Sequence, residues 1–526
     1  MTVFHHDPIN NRVPLTVHKN LQARLADVLC PLLLILICLA IGLPRYHAGI
    51  DWRDEGFLAY GAVRVMRGDV PNRDFISLQP PLSFYVAAGA FKLFGTSLAT
   101  LRTLGLSIFV VIVLLVYALA RQLMKPGLAF AAAFPATSLG IPYFNFTPFA
   151  VWQGITASMA AALLYLHASL TNRRWLALPA GVLTTISIFL RHDQGIYLAI
   201  SILILTVALK FATDIIIPTR VLVFWFVGAA AAALALSILW WKQGALPEMF
   251  RHLVEFPLTT YRKSSSIPFP RFSSQLPLPQ NTLIVLYFLP PGVAAVAAVW
   301  LVLRIARRRF NSLAAILMFL LAWTALFYCQ VLIRSDVNHL LITLPPFFLL
   351  AAYCWRIFLG TLGQRKILRI CMSIFVAAPI CWFLWTVSAL VLPDISNQNE
   401  PLAVDRGGIR IEKGDWTTDF IRGVQNYVPL HRAILALPYE PMFYFLCERR
   451  NPTRWNYLWP GDQTAQDHID LVEQAKRDPP AVVFITNEND MAAYASDILD
   501  YIHHDYKHAG DFGALAVYFP QNSTPQ

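Results

Sequence analysis

Charge is what this sequence has least of: only 14% of its 526 residues are Asp, Glu, Lys or Arg, while 56% are hydrophobic. A soluble multidomain chain of this length needs far more polar surface, so that class is excluded. The mean hydropathy of +0.51 describes a polytopic membrane protein. Cysteine is also sparse. Cys30, Cys38, Cys329, Cys354, Cys371 and Cys381 lie in or beside apolar runs and Cys447 alone lies in the polar C-terminal part. They offer neither a disulfide framework nor the CxxC spacing of a metal site. There is no GxGxxG, no P-loop, no low-complexity tract and no internal repeat of useful length, which argues against a nucleotide fold and against an inverted-repeat carrier. The net charge of +11 is dispersed over short loops, so it reads as membrane orientation and not as a nucleic-acid surface.

What is present is a series of apolar runs. Val28–Leu43, Leu104–Ala120, Leu128–Gly140, Phe149–Leu170, Trp175–Leu190, Ile196–Leu209, Val221–Trp241, Thr282–Leu303, Leu313–Ile333, Leu340–Tyr353 and Ile370–Val391 predict about eleven spans, several shorter than the usual ~20 residues. The polar stretch before the first run is too long for a cleaved signal peptide, so Val28–Leu43 is expected to be a retained anchor. With the N-terminus inside, Arg121, Lys125, Arg173, Arg174, Lys210, Arg220, the Arg304–Arg309 cluster and Arg356–Arg369 all fall on the cytoplasmic side, as positively charged loops should. That parity requires residues 77–95, which follow the Pro80–Pro81 break, to lie on the outer face as an amphipathic or re-entrant segment.

The expected organisation is a cytoplasmic segment 1–27, a transmembrane catalytic domain 28–392 with outer loops 45–98 and 242–281, and an extracytoplasmic domain 393–526. The last is about 130 residues, enough for a small domain. Its apolar runs IRIEK, RAILALPY, PAVVFITN and ALAVYF alternate with helix-like TTDFIRGVQNYV, QDHIDLVEQAKR and MAAYASDILDYI, which predicts an α/β unit. The protein is expected in the inner (plasma) membrane, with its C-terminal domain periplasmic.

Chemistry-bearing residues gather on the outer side. Asp51, Asp54 and Glu55 open the first outer loop; on a helix, Asp51 and Glu55 would share a face while Asp54 points elsewhere. A carboxylate here could serve as general base for a hydroxyl at the bilayer surface, or the three could simply cap a helix and pair with Arg53 or Arg64. Arg191, His192 and Asp193 lie between the fifth and sixth runs, and Arg334, Asp336 and His339 between the ninth and tenth. The arginines suit a phosphate, and His192 with Asp193 a divalent cation; the alternative is a pair of interfacial ion pairs. The 242–281 loop carries Arg251, His252, Arg262, Lys263 and Arg271 among aromatics, as either a lid over a lipid phosphate or an ordinary headgroup contact.

One early anchor followed by DEGFLAYGAVRVMRGDVPNRDF, then QPPLSFYVAAGAFKLFG leading into LRTLGLSIFV, and later RHDQG and RSDVNH, resembles the GT-C class of membrane glycosyltransferases. The likeness is to the protein O-mannosyltransferase and lipid A aminoarabinose transferase superfamily, and YFLCERRNPTRWNYLWPG resembles the soluble domains appended to such proteins. The resemblance implies a polyprenyl-phosphate-sugar donor, a lipid or glycan acceptor, contact with membrane lipid and no nucleic acid. It implies an outer-loop acid as base, which Asp54 matches, with Glu55 as its neighbour. The sequence departs from the pattern twice: Gln79 stands beside Pro80 where related enzymes carry a lysine, and PYFNFTPFAVW lacks the second acid expected after the third span. The substrate-binding set read here is Asp51, Gln79, Arg191, His192, Asp193, Arg334, Asp336 and His339. No cofactor is specified by these residues, and a divalent cation is the one candidate. A flippase or carrier for polyprenyl-linked glycans, or a ligase of them, is the alternative reading.

Overall fold

The computed structural model of the chain describes residues 21–140, 146–171, 173–212, 220–261, 265–272, 278–362, 365 and 397–521. The expected span Ile370–Val391 and the loop residues Arg262 and Lys263 lie outside them. Eight helices among the described residues are long and apolar enough to cross a membrane. Four of these are α1 (Leu21–Gly42), α4 (Leu98–Leu123), α6 (Ala150–Thr171) and α8 (His192–Lys210). The others are α9 (Arg220–Lys242) and the helices Leu278–Ala306, Ser312–Ile333 and Val337–Thr361. Helix is the form a lone segment must take in hydrocarbon, because only there are its backbone groups satisfied internally.

Two expected spans are shorter than the sequence suggested. Leu128–Gly140 divides into α5 (Pro126–Ala133) and a tighter turn at Phe134–Ser138. Trp175–Leu190 becomes a tighter turn at Arg174–Leu176 that runs on into the 14-residue α7 (Ala177–Leu190), together a little under the usual ~20 residues. Among the described residues, eight helices of full span length are found, against the eleven runs expected over the whole chain. Even so, α7 belongs to the bundle: a Cβ on Gly181 would come within 1.9 Å of the Trp225 carbonyl oxygen, and one on Gly228 within 2.1 Å of that of Leu178. Small residues at a crossing let two membrane helices approach this closely.

The stretch 45–98, expected as the first outer loop, forms α2 (Asp54–Met66) and α3 (Leu82–Phe94). Helix α3 has 13 residues, rising about 20 Å, and stops at Gly95, whose φ of 92° favours glycine. Its length is short of the usual ~20-residue span.

The C-terminal part is an α/β unit with a two-stranded ribbon, β1 (Glu400–Pro401) and β2 (Arg410–Ile411), and a four-stranded sheet ordered β3-β4-β6-β5. Strands β3 (Leu435–Leu437) and β4 (Val483–Thr486) run parallel, while β5 (Tyr506–Phe512) and β6 (Leu515–Pro520) complete it antiparallel. This unit does not stand apart from the first outer loop. Phe57, Tyr60, Phe75, Phe84 and Phe91 of the loop share one hydrophobic core with Phe443, Tyr444, Phe445 and Phe484, so neither buries its apolar face without the other.

Candidate active site

The acidic corner is built from the start of α2. Asp51 accepts hydrogen bonds from the backbone N–H of Arg53 (3.0 Å), Asp54 (3.2 Å) and Glu55 (3.4 Å), which satisfies donors that a helix start leaves free. Asp51 precedes α2 instead of lying on it, so its meeting with Glu55, whose Oε2 accepts from the Asp51 N–H at 3.4 Å, comes from the turn before the helix and not from helical spacing. Burial, followed by the charges of Asp54 and Glu55, pushes the Asp51 carboxyl up to about 7.

Glu55 is fully buried. Arg102, near the N-terminal end of α4 and equally buried, reaches both of its oxygens at 2.7 Å, and the Thr147 hydroxyl donates to Oε1 at 3.1 Å. The remaining Arg102 donors go to the carbonyls of Tyr46, Ala48 and Gly49, so the whole guanidinium fork is used. Glu55, expected beside Asp54 as a catalytic acid, therefore has no open face, and its geometry suits holding the corner. Thr147 sits in the stretch where the second family acid is absent. Arg102 was not singled out from the sequence, although a charge heading an apolar run was the signal that could have found it.

Asp54 is exposed. Its Oδ1 accepts a 2.6 Å hydrogen bond from the Tyr439 hydroxyl, and Oδ2 has no partner among the described residues. Tyr439 follows β3 directly, and Arg53 next to Asp54 pairs with Glu440 at 3.5 Å. Nothing in the sequence connects these two places, which are 385 residues apart. Gln79 lies half-buried in a turn closed by Ser77, immediately before α3.

The two arginine corners repeat one geometry. Arg191 and Arg334 are each extended residues joining consecutive helices, and each uses Nε to pair with the aspartate two positions on, Asp193 at 3.1 Å and Asp336 at 2.7 Å. The terminal amino groups of Arg191 have no hydrogen bond among the described residues. Asp336 caps the Val337–Thr361 helix and accepts from the backbone and ring of His339, both at 2.8 Å. Burial raises its carboxyl, but His339 and Arg334 outweigh that and hold it at about 2. Tyr261 of the 242–281 stretch lies near both Arg334 and Arg191, so both corners share it as a neighbour. No hydrogen bond or ion pair among the described residues joins Asp54 to either arginine.

His192 has its Nδ1 buried without a hydrogen bond among the described residues, and Asp193 is engaged by Arg191. No group of three or more His, Cys, Asp or Glu side chains that could hold a metal ion occurs among the described residues. The second outer loop contains two π-type turns, Arg251–Glu255 and Pro257–Tyr261. Arg251 pairs with Asp467 of the C-terminal domain at 3.1 Å, buried His252 approaches Glu248 at 3.3 Å, and Arg271 is exposed. Arg73 of the first loop donates to the Gln243 carbonyl at 3.1 Å. The 45–98 and 242–261 stretches and the C-terminal unit therefore meet on one side of the helix bundle.

No protein-family model matches the sequence, and comparison with curated proteins finds no match. Solved structures do match. ArnT from Cupriavidus metallidurans bound to undecaprenyl phosphate shares 13% identity at a TM-score of 0.54, covering 95% of this chain and 99% of that one. The archaeal oligosaccharyltransferase AglB from Archaeoglobus fulgidus, in complex with an inhibitory peptide and a dolichol-phosphate, shares 12% identity at a TM-score of 0.53, covering 96% and 75%. At these identities the likeness shows the fold: this chain is a multi-pass membrane protein with the architecture of the GT-C glycosyltransferases.

Proposed function

We propose that the protein is an inverting glycosyltransferase that moves a sugar from a polyprenyl-phosphate donor to an acceptor hydroxyl at the outer face of the membrane. The observation that carries the proposal is Asp54, an exposed carboxylate with one oxygen unengaged among the described residues, on a corner that Glu55 and Arg102 lock from beneath. Such a group can take the acceptor proton as the acceptor oxygen bonds to the anomeric carbon. The anomeric C–O bond breaks with its electron pair leaving on the phosphate, so the new bond forms on the opposite face. Arg191 and Arg334 would receive that phosphate, Arg191 through its unengaged terminal amino groups, because a guanidinium fork matches a phosphate in geometry and charge. The fold is shared with proteins solved with undecaprenyl phosphate and dolichol-phosphate, ligands of the class expected here.

In this reading the N-terminal segment is cytoplasmic, residues 28–392 form the catalytic membrane domain and residues 393–526 are extracytoplasmic. Gln79, Asp51, His192, Asp193, Asp336 and His339 line or brace the donor side. Purified protein in liposomes, given a panel of radiolabelled undecaprenyl-phosphate sugars, should release or transfer sugar. That activity should vanish in Asp54→Asn. Transport of the lipid without turnover would instead support a carrier.

A further inference from the structure

Among the described residues, the C-terminal domain reaches the Asp54 side chain through one short segment. Strand β3 ends at Leu437, and the next residues place Tyr439 on Asp54 and Glu440 on Arg53. The segment is fixed from several sides. The Thr486 hydroxyl at the end of β4 donates to Glu440 at 3.0 Å, and the Met442 N–H donates to the Trp52 carbonyl at 3.2 Å. The Tyr439 ring lies edge-on to Phe57, Tyr457 and Trp459, with centroids 6.3, 5.5 and 6.4 Å away. Tyr439 is thus held by a strand end, a backbone splice and a ring of aromatics, and its hydroxyl is delivered to a single carboxylate oxygen.

We propose that Tyr439 is a positioning residue for Asp54, and that the C-terminal domain thereby completes the active site rather than merely covering it. The proposal rests on the assignment of Asp54 as base. A free aspartate spins about its side-chain bonds and offers either oxygen. With Oδ1 tied to the phenol, the carboxylate plane is set and Oδ2 is the atom left to meet an acceptor hydroxyl. During transfer the acceptor proton goes to Oδ2 while Tyr439 continues to donate to Oδ1, so the tyrosine loses and gains no proton. Preorganising a catalytic group in this way contributes through geometry as well as charge.

Tyr439→Phe removes the hydroxyl and keeps the ring. With radiolabelled undecaprenyl-phosphate sugars on the full-length protein, kcat should fall about ten- to a hundred-fold, the scale of a hydrogen bond to a charged group, while the donor KM stays near wild type. The acid limb of the kcat/KM–pH profile should move to higher pH, because a donor to the carboxylate has gone. Glu440→Gln loosens the same segment without touching Asp54 and should lower the unfolding temperature while leaving the acid limb in place. A second measurement needs no turnover: unfolding temperatures of wild type, Tyr439→Phe, Asp54→Ala and the double variant should be non-additive. Wild-type kcat with an unmoved acid limb in Tyr439→Phe overturns the proposal, as does strict additivity in that cycle. If Asp54→Asn transfers sugar normally, the base assignment falls and the role of Tyr439 falls with it. If Asp54→Asn is inactive and Tyr439→Phe is unaffected, the tyrosine proposal falls alone.

Discussion

Glu55 and Arg102 form a two-pronged ion pair, 2.7 Å on each arm, with neither side chain exposed. Arg102 simultaneously gathers the carbonyls of Tyr46, Ala48 and Gly49, so one guanidinium fastens the exit of α1, the start of α2 and the top of α4. The acidic corner owes its shape to this pair.

Breaking it from one side leaves an uncompensated charge in the interior. Arg102→Ala and Glu55→Gln should each lower stability by about 3–5 kcal/mol, far more than a surface ion pair contributes. Thermal unfolding of the detergent-solubilised protein measures this. A loss under about 1 kcal/mol would show that water reaches the pair and screens it.

Asp54→Asn should behave in the opposite way. Its carboxylate is exposed, so the unfolding temperature should barely move, while transfer falls by about two to four orders of magnitude, the usual worth of a general base. Adjacent acids would then separate cleanly, one affecting activity and the other stability. Equal activity losses in Asp54→Asn and Glu55→Gln at unchanged stability would contradict that division.

Much of this was legible in the sequence, and the exceptions have physical causes. Apolar runs of full span length became membrane helices because hydrocarbon leaves them no alternative. The runs at Leu128–Gly140 and Trp175–Leu190 looked equivalent to the others but divide into shorter helical pieces, since composition reports apolarity and not where a helix changes its winding. Strand β5 was missed because YKHAGDF is a largely exposed edge with no apolar alternation, a usual way of protecting a sheet margin. Asp54 stood out through its place after the first anchor. Tyr439 could not, because a contact across 385 residues exists only after β3 has paired with β4.

Two aspartates should bend the pH dependence of stability in opposite directions. Asp51, raised to about 7, keeps a proton in the folded chain that the unfolded chain has released, so its contribution is full below the unfolded value near 4 and is lost as pH rises towards 7. Asp336, held at about 2, contributes above the unfolded value and loses its contribution as pH falls towards 2. Unfolding temperatures measured from pH 4 to 8 should decline less in Asp51→Asn, whose amide oxygen still accepts from the Arg53 and Asp54 N–H groups. An unchanged slope would refute the raised Asp51 value.

Arg191→Lys keeps the charge and loses the fork. If its terminal amino groups receive the donor phosphate, binding of undecaprenyl phosphate in proteoliposomes should weaken about ten-fold, because a lysine offers a point charge in place of two parallel donors. Affinity equal to wild type would place the phosphate elsewhere.

Gly56 sets two effects against each other. It lies inside α2, where alanine is favoured over glycine by about 1 kcal/mol, so on helix propensity alone Gly56→Ala should stabilise. The added Cβ, however, would stand 2.4 Å from the Met442 backbone nitrogen and 2.7 Å from its Cα, and backbone held in a shared core cannot swing aside as a flexible side chain can. Overpacking of that kind costs about 1–3 kcal/mol and should outweigh the propensity gain. Gly56→Ala should therefore lower the unfolding temperature and speed proteolysis around residues 438–442. It should also reduce transfer through the displaced Tyr439 contact, even though residue 56 meets no substrate. A stabilised Gly56→Ala protein with full activity would mean that the C-terminal domain is not seated on α2 as tightly as these distances require.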